Sequence, residues 1–359
     1  MSPPLNLREY EAQARERLPA MVWAYYAGGA DDELTLAKNE RDWERLRLRY
    51  RVLVDVSEVT LTTTVLGQAV SLPILSAPCA ANNLAHPEGE LAVARAVAAA
   101  GSLQIVSTLG TRSLEEIAAS GPAPRWFQLY VYRDRGVTRD LIARAERVGY
   151  QALCLTVDAP RLGRREREIR SGFHLPPGQR LANLAPYAAG AELAATAGAS
   201  ALARYVESLW DPSLDWSTIA WLREQTRLPI VVKGLVTAED ARLAVEHGVA
   251  GIVVSNHGGR QLDGSVTGCE ALPEVVTAVA GRCEVLVDGG IRRGTDVLKA
   301  LALGARAVLV GRPYLWALAV DGEAGVSRLF ELLREELRLA MTLAGVTSAE
   351  QVPRELVVP

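Results

Sequence analysis

Short apolar runs that alternate with helix-period stretches constrain the fold of this 359-residue chain more than any other feature. The runs, rich in β-branched and aliphatic residues, lie at 73–77, 103–108, 126–131, 152–158, 230–234, 251–256, 284–288 and 307–311. Stretches rich in Ala, Leu, Glu and Arg follow several of them, at 88–100, 113–119, 137–148, 238–247, 273–280 and 294–303. This alternation is typical of βαβ units with parallel strands. Eight such strands predict a closed (β/α)₈ TIM barrel, with an open doubly wound sheet as the alternative.

Two segments depart from a minimal barrel, and we interpret both as parts of one domain spanning 1–359. An N-terminal extension, 1–70, contains helical stretches and an alternating segment, 61–70, that predicts a hairpin under the barrel. About 70 residues separate the fourth and fifth runs, a length typical of functional or mobile loops. Within them we interpret 176–215, which is rich in Ala and Gly from 176 to 203, as a lid-like insertion, and a helix at 216–227 ends the connection.

Composition and charge exclude several classes of protein. Hydrophobic residues make up 49% of the chain and the formal net charge is -3, which indicates a globular protein and argues against a nucleic-acid or anionic-membrane partner. No C-x-x-C pair occurs, so free thiols and no metal site are expected from Cys79, Cys154, Cys269 and Cys283. Neither a signal-like segment nor a long apolar window is present, which predicts a cytoplasmic protein that acts on a small molecule.

Polar residues, and one glycine, lie near or just beyond the carboxyl end of nearly every apolar run. They are Ser107, Gln128, Tyr130, Thr156, Asp158, Lys233, Asn256, His257, Asp288, Gly311 and Arg312. In barrels of this kind the chemistry takes place at the carboxyl ends of the strands. The pattern therefore predicts a pocket lined by these side chains.

The last two strand ends carry the residue types that bind phosphate. The run 288–294 opens one helix and 310–313 opens the next, and together they place Gly289, Gly290, Arg292, Gly311 and Arg312 at helix starts. Glycines let backbone N–H groups approach an anion, and arginine pairs with phosphate bidentately. The alternative is a pair of ordinary βα turns with surface arginines. No G-x-G-x-x-G turn follows an early strand, so a Rossmann-type nicotinamide site is not indicated.

The loop 255–264 places an imidazole and a guanidinium three residues apart, at His257 and Arg260. Such a pair suits a substrate with a carboxylate beside the reacting carbon, because arginine holds the anion while histidine accepts a proton. A lone loop histidine is otherwise usually structural or solvated.

Longer motifs extend over nearly the whole chain. They lie at 25–30, 86–90, 128–132, 156–158, 160–165, 255–263 and 288–296. With these motifs the chain resembles the FMN-dependent α-hydroxy-acid oxidising family, which includes glycolate oxidase, lactate oxidase and mandelate dehydrogenase. The resemblance implies FMN as the cofactor, a small 2-hydroxy acid as the substrate and a homotetramer as the assembly.

The resemblance also implies roles for residues at the substrate. His257 is expected to be the catalytic base, with Asp158 stabilising the imidazolium. Arg165, Arg260 and the hydroxyl of Tyr25 are expected to hold the substrate carboxylate, and Tyr130 is expected to bind the substrate hydroxyl. From the sequence alone, Arg165 lies in a run of arginines and glutamates, 161–170, which is ordinarily a solvated face.

For the flavin, the resemblance implies three groups of residues. Those expected behind or beside the ring are Pro78, Cys79, Ala80, Ser107, Gln128, Thr156 and Ser255. Those expected at the phosphate end are Asp288, Gly289, Gly290, Arg292, Gly311 and Arg312. Lys233 is expected near N1 and O2, where a fixed cation stabilises negative charge that develops on reduction. A structural ion pair is the alternative for this lysine.

Two departures from the plant glycolate oxidase pattern bear on the substrate. Leu109 stands where those enzymes carry tryptophan, and Cys79 stands where they carry threonine. A smaller side chain at position 109 favours the methyl group of L-lactate over glycolate, while longer aliphatic acids or mandelate also remain candidates. We expect dioxygen as the acceptor, giving hydrogen peroxide, because no haem domain precedes the barrel and 176–215 lacks membrane-anchoring character. The alternatives are a quinone- or carrier-linked dehydrogenase and a ligand-binding barrel without activity.

Overall fold

A computed structural model describes residues 3–187, 205 and 208–359. Three short strands, β1 (Arg47–Leu48), β2 (Thr63–Val65) and β3 (Gln68–Val70), precede the barrel. The barrel strands are β4 (Ile74–Ser76), β5 (Gln104–Ser107), β6 (Arg125–Leu129), β7 (Ala152–Thr156), β8 (Ile230–Leu235), β9 (Gly251–Val254), β10 (Glu284–Asp288) and β11 (Ala307–Val310). Each strand is parallel to both of its neighbours, and β11 pairs with β4 to close the barrel. The barrel prediction is confirmed, and the open sheet is excluded.

The interior of the barrel is apolar at the end where the strands begin. Leu75, Ile105, Trp126 and further side chains from the other strands form one buried cluster there. The predicted hairpin is confirmed, since β2 and β3 pair antiparallel and contribute Val65 and Val70 to this cluster. Because the hairpin fills this end, the space for a ligand lies at the carboxyl ends of the strands.

Helices surround the barrel. They are α4 (Gly89–Ala99), α5 (Leu114–Ala119), α6 (Arg135–Arg147), α7 (Glu166–Arg170), α8 (Ser217–Gln225), α9 (Ala238–Glu246), α10 (Gly268–Val279), α11 (Gly294–Ala302) and α12 (Arg312–Ala344), the last kinked at Asp321 and Gly322. One predicted start, residue 273, is wrong: α10 begins at Gly268. Thr267 and Glu270 form a capping box that sets the earlier start, so Pro273 lies inside the helix.

The N-terminal extension reaches the rim of the barrel as well as its base. It contains α1 (Leu7–Arg17), α2 (Ala20–Ala27) and α3 (Leu34–Arg45), and α1 packs against α12. From α3, the Trp43 indole donates to Gly289 O at 2.8 Å, and Asn39 exchanges side-chain hydrogen bonds with Asn256. The chain end returns beside the extension, since β12 (Val357–Val358) pairs with β1. These contacts place α2 and α3 against the loops that follow β9 and β10.

Much of the predicted lid, 176–215, lies outside the described residues, because 188–204 and 206–207 are not among them. The helix predicted at 216–227 is present as α8, Ser217–Gln225. Just before it, Trp210 forms an antiparallel bridge with Tyr132. Within 3–187, 205 and 208–359, no helix is both long and apolar enough to span a membrane.

Candidate functional site

A cavity opens at the carboxyl ends of the barrel strands. Its volume, including the open mouth, is about 1060 Å³. Among the residues predicted from the sequence, those that line it are Tyr25, Pro78, Cys79, Ala80, Ser107, Gln128, Tyr130, Thr156, Arg165, Lys233, His257, Arg260, Asp288, Gly289, Gly290, Arg292, Gly311 and Arg312. Asp158 and Ser255 lie behind this lining and contact it through hydrogen bonds. Apolar walls with a few convergent polar and charged groups are typical of small-molecule sites.

The loop after β9 holds His257 in a conformation uncommon for a side-chain-bearing residue. Its φ is +58°, and Gly258 and Gly259 also have positive φ, which curls the chain tightly at the rim. The backbone N–H of His257 donates to Ser255 Oγ at 3.0 Å, and the imidazole Nδ1 lies 2.8 Å from Asp158 Oδ1. The loop thus fixes the imidazole between a carboxylate and the cavity.

Burial and charge set the protonation of this pair. Burial lowers the pKa of His257 below its ordinary value, although the Asp158 carboxylate acts in the opposite direction. Burial alone would raise the pKa of Asp158, but the charge of His257 and its hydrogen bond hold that pKa below the ordinary value. The favoured state at neutral pH is therefore a carboxylate beside a neutral imidazole. With Nδ1–H donating to Asp158, Nε2 is the nitrogen able to accept a proton.

Arg165 lies inside the cavity wall. Only 5% of the residue is exposed, whereas the side chains of Arg164 and Arg170 are 70% and 83% exposed. Its Nε donates to Arg260 O and its Nη2 to Gln261 Oε1, both at 3.1 Å. The run 161–170 is therefore a solvated face at some positions and part of the cavity at Arg165.

Arg260, whose backbone oxygen accepts from Arg165, lies beside the ring of Tyr25. The Arg260 guanidinium is 5.3 Å from the centre of the Tyr25 ring and donates to Tyr25 O and Gly28 O. Burial and the nearby Arg165 lower the pKa of Arg260 to about 10, and burial raises the pKa of the Tyr25 phenol to about 12. At neutral pH the two guanidinium groups and the neutral phenol together form a receptor suited to a carboxylate.

Tyr130 is stacked on Trp210, with ring centres 3.7 Å apart and an interplanar angle of 21°. Trp210 also lines the cavity, and sequence reasoning missed it. It lies near the end of the 176–215 insertion, where no apolar period indicates which residue packs inward. Tyr26, Leu162 and Leu315 also line the cavity and were missed.

A chain of polar side chains crosses three adjacent strands. Gln128 on β6 accepts from Ser107 Oγ on β5 at 3.4 Å and donates to Thr156 Oγ1 on β7 at 3.1 Å. On β8, Lys233 Nζ lies 3.1 Å from Asp288 Oδ2 and 2.8 Å from Ser255 Oγ. Burial alone would lower the pKa of Lys233, but the charges of Asp288 and Asp158 raise it, so the ammonium stays charged. Lys233 is both a structural ion pair and a cation facing the cavity.

The end of the cavity lined by the loop after β10 carries polar atoms that suit a phosphate and a hydroxylated chain. Gly289 and Gly290 have φ of +93° and +83°, which brings backbone to the cavity. Within the described residues, Arg292 Nε and Asp288 Oδ1 are buried without a hydrogen-bond partner. A free guanidinium donor matches a phosphate oxygen, and a free carboxylate oxygen matches a hydroxyl group.

Charge along the cavity also favours an anionic occupant. The cations are Arg165, Lys233, Arg260, Arg292 and Arg312. Burial, together with the charges of Arg260 and Arg292, lowers the pKa of Arg312 to about 9. Asp288 lines the cavity and Asp158 lies behind it, and two further carboxylates pair with cations of the lining, Glu168 with Arg165 at 3.6 Å and Glu40 with Arg292 at 2.9 Å. The five cations therefore exceed these four carboxylates by one, which favours an anionic occupant.

Comparison with known proteins identifies the family. The family model for FMN-dependent dehydrogenases matches residues 14–359. The chain is 53% identical over 356 residues to L-lactate oxidase of Nostoc sp. (strain PCC 7120 / SAG 25.82 / UTEX 2576), covering 98% of this chain and 97% of the relative. It is 52% identical over 351 residues to glycolate oxidase of Spinacia oleracea, covering 97% of this chain and 94% of the relative.

A solved structure of mandelate oxidase with (S)-4-hydroxymandelic acid is similar throughout, with a TM-score of 0.94 and 48% identity over 99% of this chain and 98% of that one. Fold, family match and sequence identity agree over almost the full length of the chain. This protein therefore belongs to the FMN-dependent dehydrogenase family, as an enzyme of its 2-hydroxy-acid oxidase group that uses FMN.

Proposed function

We propose that this enzyme oxidises a small L-2-hydroxy acid, with L-lactate preferred, to the 2-oxo acid and reduces dioxygen to hydrogen peroxide. The observation that carries the proposal is the 2.8 Å contact of His257 Nδ1 with Asp158 Oδ1 in a cavity that Arg165 and Arg260 also line. A base held by a carboxylate beside two guanidinium groups is suited to remove a proton next to a bound carboxylate.

In this proposal each side chain at the substrate has a separate role. Arg165 and Arg260 hold the carboxylate, while Tyr130 binds the hydroxyl group. Conversion of R–CHOH–COO⁻ to R–CO–COO⁻ releases two protons and two electrons. His257 Nε2 accepts a proton from the substrate, and Asp158 stabilises the imidazolium that forms. The chemistry that bound FMN would supply is acceptance of the two electrons and their transfer to dioxygen, which together with the two protons gives hydrogen peroxide.

The residues proposed to hold FMN occupy three parts of the cavity. Pro78, Cys79 and Ala80 would lie behind the ring, and Ser107, Gln128 and Thr156 would bind its edge, with Ser255 supporting Lys233. Asp288, Gly289, Gly290, Arg292, Gly311 and Arg312 would hold the phosphate end. The unpartnered Arg292 Nε and Asp288 Oδ1 support this assignment.

The preference for L-lactate rests on the apolar part of the lining. Leu109 is 4% exposed and lines the cavity, as do Leu162 and Trp210. An apolar wall with a leucine at position 109 has room for a methyl group and gains from burying it. One methylene contributes only about 1–3 kcal/mol to discrimination, so a preference and not exclusivity is expected. Relatives named for lactate, glycolate and mandelate are all similar to this chain, so these three acids are the substrates to compare.

The test is to mix the purified flavoprotein without oxygen with L-lactate, glycolate or (S)-mandelate, to follow flavin absorbance, and then to admit air. Bleaching that is fastest with L-lactate, followed by rapid recolouring and peroxide release, is the expected result. Bleaching with recolouring only after a quinone is added would indicate a dehydrogenase. A flavin that bleaches with none of these acids would contradict the proposal.

Replacement of Leu109 by tryptophan is expected to shift preference from L-lactate towards glycolate. An indole at this position would occupy the space proposed for the substrate methyl group. The ratio of kcat/KM for L-lactate to that for glycolate should fall by roughly 10- to 200-fold, the range for one methylene in an apolar pocket. Leu109→Met, which nearly conserves volume, is the control and should leave the ratio close to its original value. An unchanged ratio in Leu109→Trp would show that Leu109 does not border the substrate.

A further inference from the structure

The carboxyl end of α2 receives two guanidinium groups from two different loops of the barrel. Arg260, after β9, donates from Nη1 to Tyr25 O at 2.7 Å and to Gly28 O at 2.8 Å. Arg312, after β11, donates from Nε to Tyr26 O at 3.0 Å and from Nη2 to Gly28 O at 3.0 Å. The carbonyl oxygen of Gly28 is therefore shared by both arginines.

The physical basis for this arrangement is the end of the helix. The last carbonyl groups of a helix have no partner within it and carry partial negative charge, so cations are favoured there. Here the two cations also lie close enough to oppose each other, since the charge of Arg260 contributes to the lowered pKa of Arg312. The helix end thus offsets repulsion that would otherwise drive the two guanidinium groups apart.

We infer that the carboxyl end of α2, and Gly28 in particular, positions both arginines at once, Arg260 for the substrate carboxylate and Arg312 for the FMN phosphate. Gly28, which is not among the residues that line the cavity, is then a positioning residue that controls the affinity for both ligands. The substrate half of this inference rests on the proposed function. The FMN half rests on the cavity geometry and on the family.

Gly28 itself shows why the helix end is sensitive to substitution. It is buried, and its N–H donates to Ala24 O at 3.1 Å. A Cβ at this position would lie 2.6 Å from Ala24 O and 3.6 Å from Arg167 Cβ. Because the closest atom belongs to the backbone, an added methyl group must displace the end of α2, and with it the shared carbonyl.

The first test is Gly28→Ala in the full-length protein. Protein stripped of flavin is titrated with FMN, with flavin fluorescence giving Kd, and KM and kcat for L-lactate are measured at saturating FMN. Both Kd and KM should rise about tenfold, which corresponds to ~1.4 kcal/mol each. The value of kcat should change much less, because the His257–Asp158 contact does not involve α2. A rise in only one of the two constants, or in neither, would overturn the inference.

Val22→Ala is the matched control. Val22 lies on the same helix and is 3% exposed, so its truncation destabilises α2 without adding an atom at the helix end. It should lower the Tm while leaving Kd for FMN and KM for L-lactate within about twofold of the wild-type values. If Val22→Ala raised both constants as much as Gly28→Ala, general loosening of the helix would explain the effect and the inference would fail.

If Gly28→Ala does not fold, a second pair of variants tests the inference. In Arg260→Lys, the expected result is a severalfold higher Kd for FMN, although Arg260 is assigned to the substrate. In Arg312→Lys, KM for L-lactate should rise severalfold even at saturating FMN. Such cross effects are expected of residues that share a hydrogen-bond partner. Changes confined to each arginine's own ligand would show that the two sites are independent.

These outcomes separate the inference from the proposed function. If L-lactate proves not to be a substrate, the FMN titrations of Gly28→Ala and Arg260→Lys still report on the shared carbonyl. If L-lactate is oxidised by the wild-type enzyme but Arg260→Lys leaves the Kd for FMN unchanged, the proposed function stands and the shared positioning fails.

Discussion

His257→Gln is expected to retain FMN and to lose at least roughly 10²-fold in turnover, the low end for loss of a general base. Glutamine can hydrogen bond in place of the imidazole, but it cannot accept a proton near neutral pH. The backbone N–H of residue 257 keeps its hydrogen bond to Ser255 Oγ in such a variant, so the loop should hold its conformation. Flavin content follows from absorbance, and turnover follows from peroxide release with L-lactate under air.

His247→Gln is the control for this replacement. Its imidazole lies 2.9 Å from Leu243 O just after α9 and does not line the cavity. That variant should retain nearly full turnover and bound FMN. Near-normal turnover in His257→Gln would remove His257 from the role of base, and loss of FMN together with turnover would point to a collapsed loop.

The barrel could be predicted from the sequence because each of its strands is buried on both faces. A strand in that environment is a largely apolar run, and the run at 152–158, for example, contains β7, in which every residue is buried. Boundaries were less predictable. The start of α10 depends on the capping box of Thr267 and Glu270, a local hydrogen-bond pattern that outweighed the tendency of Pro273 to begin a helix.

The site was predictable to the extent that it comes from strand ends. Lys233, His257 and Asp288 lie at or just after the ends of apolar runs, and the closed barrel brings them together. Tyr25 could not be found in this way, since only the packing of the N-terminal extension places α2 at the rim. The sequence-based expectation for it came from family resemblance.

Arg165 and Trp210 show the same limit within the long connection between β7 and β8. The charged run at 161–170 has the composition of a surface, and nothing in it distinguishes the buried Arg165 from the exposed Arg164. Trp210 is fixed by its stacking on Tyr130 and by a backbone bridge to Tyr132. Such long-range contacts leave no periodic signal in the sequence.

Asp158→Asn is expected to lower kcat for L-lactate by at least roughly 10²-fold and to move the acid limb of the pH profile to lower pH. The carboxylate stabilises the imidazolium, so its loss leaves burial unopposed and lowers the pKa of His257 further. Activity requires the neutral imidazole, and therefore kcat/KM is full above the pKa of His257 and falls as the pH drops through it. A lower pKa in the variant places that fall at lower pH.

The pH profile distinguishes this role from simple structural damage. A damaged site would lose activity at all pH values and keep the position of its acid limb. The measurement is kcat/KM for L-lactate across the acid range, with flavin absorbance confirming that FMN stays bound. Asp240→Asn is a suitable control, because Asp240 accepts from Thr237 at the start of α9 and does not contact His257. An acid limb that stays in place, or moves to higher pH, would contradict the proposed partnership.

The double variant His257→Gln, Asp158→Asn tests whether the carboxylate acts only through the imidazole. The structure joins the two groups by one 2.8 Å contact, and Asp158 lies behind the cavity lining instead of on it. Removing Asp158 from a chain that already lacks the imidazole should therefore cost almost nothing further. Residues that work as a unit give such non-additive losses, whereas independent contributions multiply. A double variant much slower than His257→Gln alone would mean that Asp158 acts on the substrate or the cofactor directly.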